Sequence, residues 1–365
     1  MEEWNIQMKR FLKILTAIVL VVSIALSISL SGCGRGKKDK IEKSIDDNNV
    51  EKAQPEPEID LEKIRPDESG KIMVVMFHNF VESFTPTKYD KGEYTITFDG
   101  FEKLLHTLYN NGYRLISFKD YLENNITVQA GCVPMVFTFD DGTSGQFNFI
   151  EENGELKVNR NSAVGIMEDF NKLHPDFGLK GMFFVNLGLS TFNGKGELQQ
   201  RLKYLIGKGF EIGNHTFNHI NLKDAKSSEK IQQELGKNQK KMYELVPGYK
   251  MYAFSLPYGA PSNDLMKYVI KGEFEGEKYE NLAIVEVGWD PALSPVNKKY
   301  DPVSTHRVRA PGINPEKFDL NWWLENISRK DEYVSDGNPK KVTIPKEKSD
   351  VLDMEKLKDT ELITY

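Results

Sequence analysis

Several residue types that would settle the class of this chain at once are scarce in it. Of 365 residues only Cys33 and Cys132 are cysteine, too few for a disulfide framework, and Cys132 reads as a small buried hydrophobe. There is no excess of basic charge. Lys and Arg number 48 against 54 Asp and Glu, a net charge of −6. Basic runs such as Lys37-Lys38-Asp39-Lys40 are short and broken by acids. A nucleic-acid partner calls for a basic face or stripe, so none is expected. No Gly-rich phosphate loop follows the first apolar strand, which weakens a dinucleotide-binding reading. Histidine is also rare, at six residues, so a closely spaced pair stands out. No internal repeat is visible.

What is present begins with a signal. Lys9 and Arg10 precede an apolar run from Phe11 to Leu30, the order of a charged n-region and an apolar h-region. The run ends in Leu30-Ser31-Gly32-Cys33, which resembles the lipobox of bacterial lipoproteins. That resemblance implies cleavage before Cys33, diacylglycerol on its thiol and a membrane anchor. An uncleaved spanning helix is the alternative, because the run is nearly long enough to cross a bilayer. Either way the remainder faces outside the cytoplasm. Composition divides the chain into the signal (1–33), a flexible charged linker (34–70), a catalytic domain (71–325) and a charged, loosely packed C-terminal extension (326–365). A monomer is expected.

From Lys71 onward, apolar strand-like runs alternate with helical patterns. Ile72–Phe77, Met135–Phe139, Gly181–Val185, Phe210–Ile212, Met251–Phe254 and Leu282–Val287 read as strands, with Arg307–Arg309 as a further one. Phe101, Leu104, Leu105 and Leu108 form a helical stripe, with Asp99 and Glu102 at capping-box spacing. Ala163–Leu173, Glu197–Lys208, Ser228–Leu245 and Asp264–Ile270 read as helices. Residues 143–161 read as a loop or hairpin. Alternating β and α units with continuous apolar strands predict an α/β fold with a parallel sheet covered by helices. A distorted or incomplete barrel is favoured over an open sheet.

Three motifs follow strands, on the face where such folds build active sites. Thr138-Phe139-Asp140-Asp141-Gly142 places two carboxylates at a strand end. There Gly142 lets the chain turn so that both enter one pocket. Two carboxylates together repel unless a cation or a proton separates their roles. His215 and His219 stand four residues apart, the spacing that puts two imidazoles on one helical face, fit for one metal ion. Thr216 stands where a metalloprotease helix carries its glutamate, so that chemistry is excluded. Ser255-Leu256-Pro257-Tyr258-Gly259 brackets an aromatic between Pro and Gly. One carboxylate and two imidazoles make a three-ligand site with an open position, the arrangement of a catalytic zinc. The spare carboxylate is then a base.

These residues resemble the polysaccharide deacetylases of carbohydrate esterase family four. Thr138–Gly142 matches that family's first motif and His215–His219 its second, and the likeness runs over about residues 71–312. The resemblance implies a distorted β/α barrel with a metal site at the C-terminal ends of the strands. It implies Asp140 as general base and Asp141, His215 and His219 as ligands of a divalent ion, zinc first, with cobalt, nickel or manganese also suited. It implies release of acetate from N-acetylglucosamine units of an extracellular polysaccharide. Pro257, Tyr258 and Gly259 match the third motif, and the Tyr258 N–H is implied to hold the oxyanion. That motif normally opens with an arginine that steers the base, and here Ser255 stands in its place. Gly288-Trp289-Asp290 is similar to the aromatic fourth motif, which makes Trp289 a substrate contact.

The usual late histidine is missing. Val75-Met76-Phe77-His78 resembles instead the early strand of the circularly rearranged poly-N-acetylglucosamine deacetylases. His78 is therefore the expected general acid, with His306 as rival, and Arg307 the expected substitute for the steering arginine, with Arg309 second. Two other functions fit the same residues: an O-acetyl esterase on a plant or cell-wall glycan, and a degenerate, lipid-anchored carbohydrate-binding protein.

Overall fold

Residues 59–88, 91–357 and 360–365 are described by the structure, a computed structural model. The expected signal, its lipidation residue Cys33 and most of the expected linker lie outside the described residues. The centre is an eight-stranded sheet. Its strands are β1 (Met73–Phe77), β2 (Tyr113–Leu115), β3 (Val133–Asp141), β4 (Met182–Val185), β5 (Glu211–Asn214), β6 (Ala253–Ser255), β7 (Ala283–Val285) and β8 (Val308–Arg309). Their order is β7-β6-β5-β4-β3-β1-β8, with β2 beside the start of β3. Every pairing is parallel. An isolated parallel bridge from Val285 to Thr305 brings the approach to β8 back against β7. The sheet therefore curls into an incomplete barrel, as the alternation of elements predicted.

Parallel strands buried on both faces need continuous apolar runs, and the period of two sorts those runs into two cores. Met135, Phe137 and Phe139 of β3 join Val75, Phe77, Phe183 and Val308 in the layer under the helices. Val136 faces the other way, with Val74, Phe184 and Val285, into the barrel. By the same alternation Thr138 and Asp140, both buried, continue that inner column upward. An interior of side chains thus leads directly to a carboxylate at its mouth.

Helices α1 (Phe98–Asn110), α2 (Phe118–Leu122), α3 (Ala163–Leu173), α4 (Leu198–Gly207), α5 (Ser228–Leu245), α6 (Asn263–Ile270) and α7 (Leu320–Asn326) accompany the sheet. The expected cap at Asp99 is not the one used. Thr97 caps α1, its hydroxyl accepting from Gly100 N at 3.0 Å, while Asp99 pairs with Lys103 one turn on. Both signals fit a helix start. Thr97 prevails because it ends a short strand, Thr95–Thr97, and already has the extended backbone a cap needs.

Two boundaries drawn from composition also move. Order does not begin at Lys71: Asp67, Glu68 and Ser69 are buried. Residues 326–365 are not a loose extension. Their strands Lys341–Ile344 and Glu361–Thr364 pair in parallel, and Val342, Ile344, Leu352 and Leu357 bury a small core with Val296. Polar burial ties the two segments together. Glu68 accepts from Asp336 N at 3.1 Å and Thr343 N at 3.0 Å, and its own backbone carbonyl accepts from Ser294 Oγ at 2.7 Å. Composition misled because charged residues here are held inside by hydrogen bonds.

That burial has a pH signature. Desolvation, with Asp336 nearby, pushes the Glu68 carboxyl from 4.5 up to about 8. The folded chain therefore holds a proton that the unfolded chain has lost. This contribution to stability is complete below about 4.5 and is lost as the pH rises through about 8. The melting temperature is expected to fall between those limits, and the slope to flatten in Glu68→Gln. An equal slope in both proteins would remove Glu68 as the cause.

Candidate active site

Asp140 and Asp141 end β3, and the backbone gives them different fates. Asp140 keeps the strand conformation and points inward. Asp141 has φ 78° and Gly142 φ 66°, so the chain turns through the left-handed region. For an aspartate that conformation is strained, and it persists only where the surroundings hold it. A Cβ at Gly142 would come within 2.7 Å of Thr191 Cγ2, so the turn demands glycine for space as well as conformation.

The histidine pair is not on a helix, contrary to what its spacing suggested. Residues 215–219 form an irregular loop after β5, with positive φ at Thr216 (62°) and His219 (53°). Asn186 Nδ2 donates to the carbonyls of His215 and Thr216, and Asn214 Oδ1 accepts from Thr216 N at 3.0 Å. The loop still brings both rings to Asp141. His215 Nε2 lies 3.4 Å and His219 Nε2 3.1 Å from Asp141 Oδ1.

These three donors suit a cation. All lie within 4.8 Å of one another, and Asp141 Oδ1 is buried without a hydrogen-bond partner. Donors each about 2.0–2.1 Å from one tetrahedral ion sit roughly 3.3 Å apart, close to both observed separations. His215 Nδ1 contacts the Ser255 carbonyl at 2.8 Å. A carbonyl only accepts, so Nδ1 carries the proton and Nε2 presents its lone pair to the site. Burial raises the Asp141 carboxyl, but the His215 and His219 rings outweigh it, and the group sits far below the usual range.

Asp140 is held apart from this donor set. Arg307, fully buried, grips it with two parallel bonds, Nη1 to Oδ1 at 2.7 Å and Nη2 to Oδ2 at 2.8 Å. Nη1 also donates to Thr138 Oγ1 at 3.2 Å, Nη2 to Ser255 Oγ at 2.9 Å, and Nε to the Glu286 carbonyl at 3.1 Å. Ser255 Oγ in turn donates to Asp140 Oδ2 at 3.1 Å. Burial pushes the Asp140 carboxyl up. The charge of Arg307, with His215, the Arg307 hydrogen bonds and His78, brings it down to about 2. Arg307 is therefore the arginine that holds Asp140, hydrogen-bonded at the same time to Ser255. Arg309 does not reach Asp140: it pairs with Glu316 and lies over the Tyr94 ring.

His78 closes the other side. It directly follows β1, and its Nε2 is 3.9 Å from Asp140 Oδ2. Its ring meets Tyr94 edge-on, centroids 4.9 Å apart. Burial lowers its pKa against the pull of Asp140 and Asp141. The rival, His306, is exposed, its ring 6.5 Å from that of Trp289. The period of two explains the choice: in the run to β8, position 306 faces out while Thr305 and Arg307 are buried. Tyr258 (φ 59°) is 71% exposed, with its ring 4.8 Å from His219. Pro257 beside it is buried. Trp289 is 66% exposed, and the only ring near its own is that of His306 among the described residues.

Residues 128–275 match the polysaccharide deacetylase family. With that match the chain is a hydrolase acting on amide or ester bonds. The stretch spans Asp140, Asp141, His215, His219 and Ser255–Gly259, while His78 and Arg307 fall outside it on opposite sides. Two solved structures share the fold. Streptococcus pyogenes deacetylase PplD, solved in complex with acetate, is 18% identical, covering 71% of this chain and 98% of its own, with a TM-score of 0.51. The Bacillus anthracis protein BA0330 is 16% identical, covering 71% of this chain and 69% of its own, also at 0.51. No curated protein matches the sequence.

Sequence patterns did not expose the residues that hold this site in shape. Gln146, fully buried, donates to the carbonyls of both His78 and Asp140 and so ties the ends of β1 and β3 together. Gln146, Asn186 and Asn214 act on backbone atoms. Such contacts carry no spacing signature.

Proposed function

We propose that the chain removes N-acetyl groups from an N-acetylglucosamine-containing extracellular polysaccharide, with a divalent metal ion, zinc first, held by Asp141, His215 and His219. The observation that carries the reading is the separation of the two adjacent aspartates. One faces two imidazoles, and the other is gripped by a buried arginine and kept ionised. The ion would act as a Lewis acid on water and on the acetyl carbonyl. Asp140 takes the proton of the attacking water. Arg307 orients Asp140 and keeps it anionic, and Ser255 steadies both. The Tyr258 N–H, on a residue whose ring lies 4.8 Å from that of His219, would stabilise negative charge on the carbonyl oxygen. His78 delivers a proton to the leaving nitrogen. A lipid anchor at Cys33 would hold the enzyme on the outer face of the membrane, near such a polymer, with the enzyme acting as a monomer.

Dialysis against a chelator is expected to abolish acetate release from N-acetylglucosamine oligomers, and added zinc to restore it. Asp141→Ala and His215→Ala proteins should bind no stoichiometric ion. Acetate release that survives the chelator would remove the metal from this account. Release from O-acetylated xylan alone would point to the esterase instead.

A further inference from the structure

The strands that carry His78 and Asp140 diverge at the active site. β1 and β3 pair in parallel register as far as Phe77 and Phe139, and His78 and Asp140 stand one residue beyond that pair. There the chain of β1 leaves the sheet. Asn79 N donates to the Tyr94 carbonyl at 3.0 Å, and Asn79–Val81 pairs with Thr95–Thr97 instead. Asp140 loses little by this. β3 goes on pairing with β4, Asp140 opposite Phe184, and Arg307 grips its carboxylate. The His78 side chain has no such grip: its Nε2 is 3.9 Å from Asp140 Oδ2, and its Nδ1 is buried without a hydrogen bond. Its place is therefore set through the main chain.

One side chain takes over where the ladder stops. Gln146, fully buried, directs both hydrogens of its amide at main-chain carbonyls, that of His78 at 2.7 Å and that of Asp140. Thr143 Oγ1 adds a longer bond to the His78 carbonyl at 3.3 Å. Gln146 is itself fixed. Its N–H donates to the Thr143 carbonyl at 3.1 Å, and its carbonyl accepts from Val164 N at 3.0 Å, at the start of α3. A Cβ on the neighbouring Gly145 would overlap the Phe80 carbonyl oxygen, so the turn bearing Gln146 lies directly against the departing chain.

Stability alone does not account for this amide. A carbonyl only accepts, so Nε2 must face both of them, and Oε1 is left buried with no partner. An unpaired buried acceptor works against folding, and sites that break a local rule in this way tend to be functional. What the amide achieves is to fix the main chain of His78 relative to that of Asp140. An acid displaced by about an ångström from its target is a much poorer one.

We propose that Gln146 is a positioning residue that sets His78 against Asp140, and so serves protonation of the leaving nitrogen rather than attack by water. The proposal rests on the deacetylase reading above, with His78 as the acid. The test compares two substrates of the zinc-loaded enzyme. N-acetylglucosamine oligomers expel an amine that must gain a proton, whereas para-nitrophenyl acetate expels a phenolate that needs none. Gln146→Met keeps the bulk of the side chain and removes both donors. It should lower kcat on the oligomer by about 10²-fold, the cost of a misplaced group, while KM, turnover of the aryl ester and bound zinc stay within about twofold. Thr143→Val removes only the longer bond to His78 and should show the same selectivity at smaller size, which decides the matter if Gln146→Met melts below the assay temperature. His78→Ala, the reference, should lose the oligomer and keep the aryl ester. Equal losses on both substrates in the Gln146 and Thr143 variants overturn the proposal, because these residues would then serve the base, the ion or the fold. Unchanged kcat on the oligomer in a folded Gln146→Met enzyme overturns it too. No acetate from the oligomer with the wild-type enzyme, or full activity in His78→Ala, would instead undo the reading beneath it.

Discussion

Asp140→Asn is expected to lower kcat for acetate release by about 10²–10⁴-fold, the usual worth of a positioned general base, without loss of bound metal. Asparagine keeps the shape of the side chain and an oxygen for Arg307, but it cannot take a proton from water. The ion should stay because Asp140 is outside the Asp141, His215 and His219 set. A matched Asp141→Asn protein should show the opposite pattern, with the ion weakened first and activity falling with it. Removing the charge opposite a buried guanidinium also costs stability, so a thermal melt must show that Asp140→Asn is folded at the assay temperature. A folded, metal-loaded Asp140→Asn enzyme with full kcat would transfer the base role elsewhere, His78 being the nearest candidate.

How far the sequence could be read depended on the kind of signal each feature leaves. The β1, β3 and β4 strands and helices α3 and α5 were legible because long apolar runs and stripes repeat at one period. The cluster of Asp141, His215 and His219 was legible because rare residues sat at fixed spacing after strands. The same spacing misled about conformation. His215 and His219 meet across a loop that Asn186 and Asn214 hold from outside the motif, and four-residue spacing is not unique to helices. The 326–365 segment looked solvated because its polar residues are counted one by one. Only the fold shows Glu68, Asp336 and Thr343 satisfying each other inside. His78 and Arg307 entered as candidates through a strand end and a missing arginine, and the fold puts both beside Asp140. Residues two apart share a strand face, so alternation does not separate Arg307 from Arg309; the fold does, with Arg307 on Asp140 and Arg309 on Glu316.

The Arg307 exchange can be tested by moving the arginine. Arg307→Ala leaves Asp140 buried and unpaired, a change that costs about 3–5 kcal/mol in comparable buried pairs. The melting temperature is expected to drop sharply and kcat with it, since an unpaired buried carboxylate gains a proton and stops being a base. Arg307→Lys should rescue only in part, because an ammonium cannot reproduce the two parallel bonds seen to Oδ1 and Oδ2. Ser255 stands where the family resemblance places the steering arginine, and its Oγ is already 3.1 Å from Asp140 Oδ2. Ser255→Arg alone should destabilise the protein, because two guanidinium groups would then crowd one carboxylate. Combined with Arg307→Ala, the same change supplies the fork from the other wall into the vacated space. The double variant is therefore expected to exceed the Arg307→Ala protein in both kcat and melting temperature. Wild-type kcat and stability in Arg307→Ala would show that Asp140 needs no arginine. A double variant no better than the single would show that the site accepts its arginine only from the strand that closes the barrel.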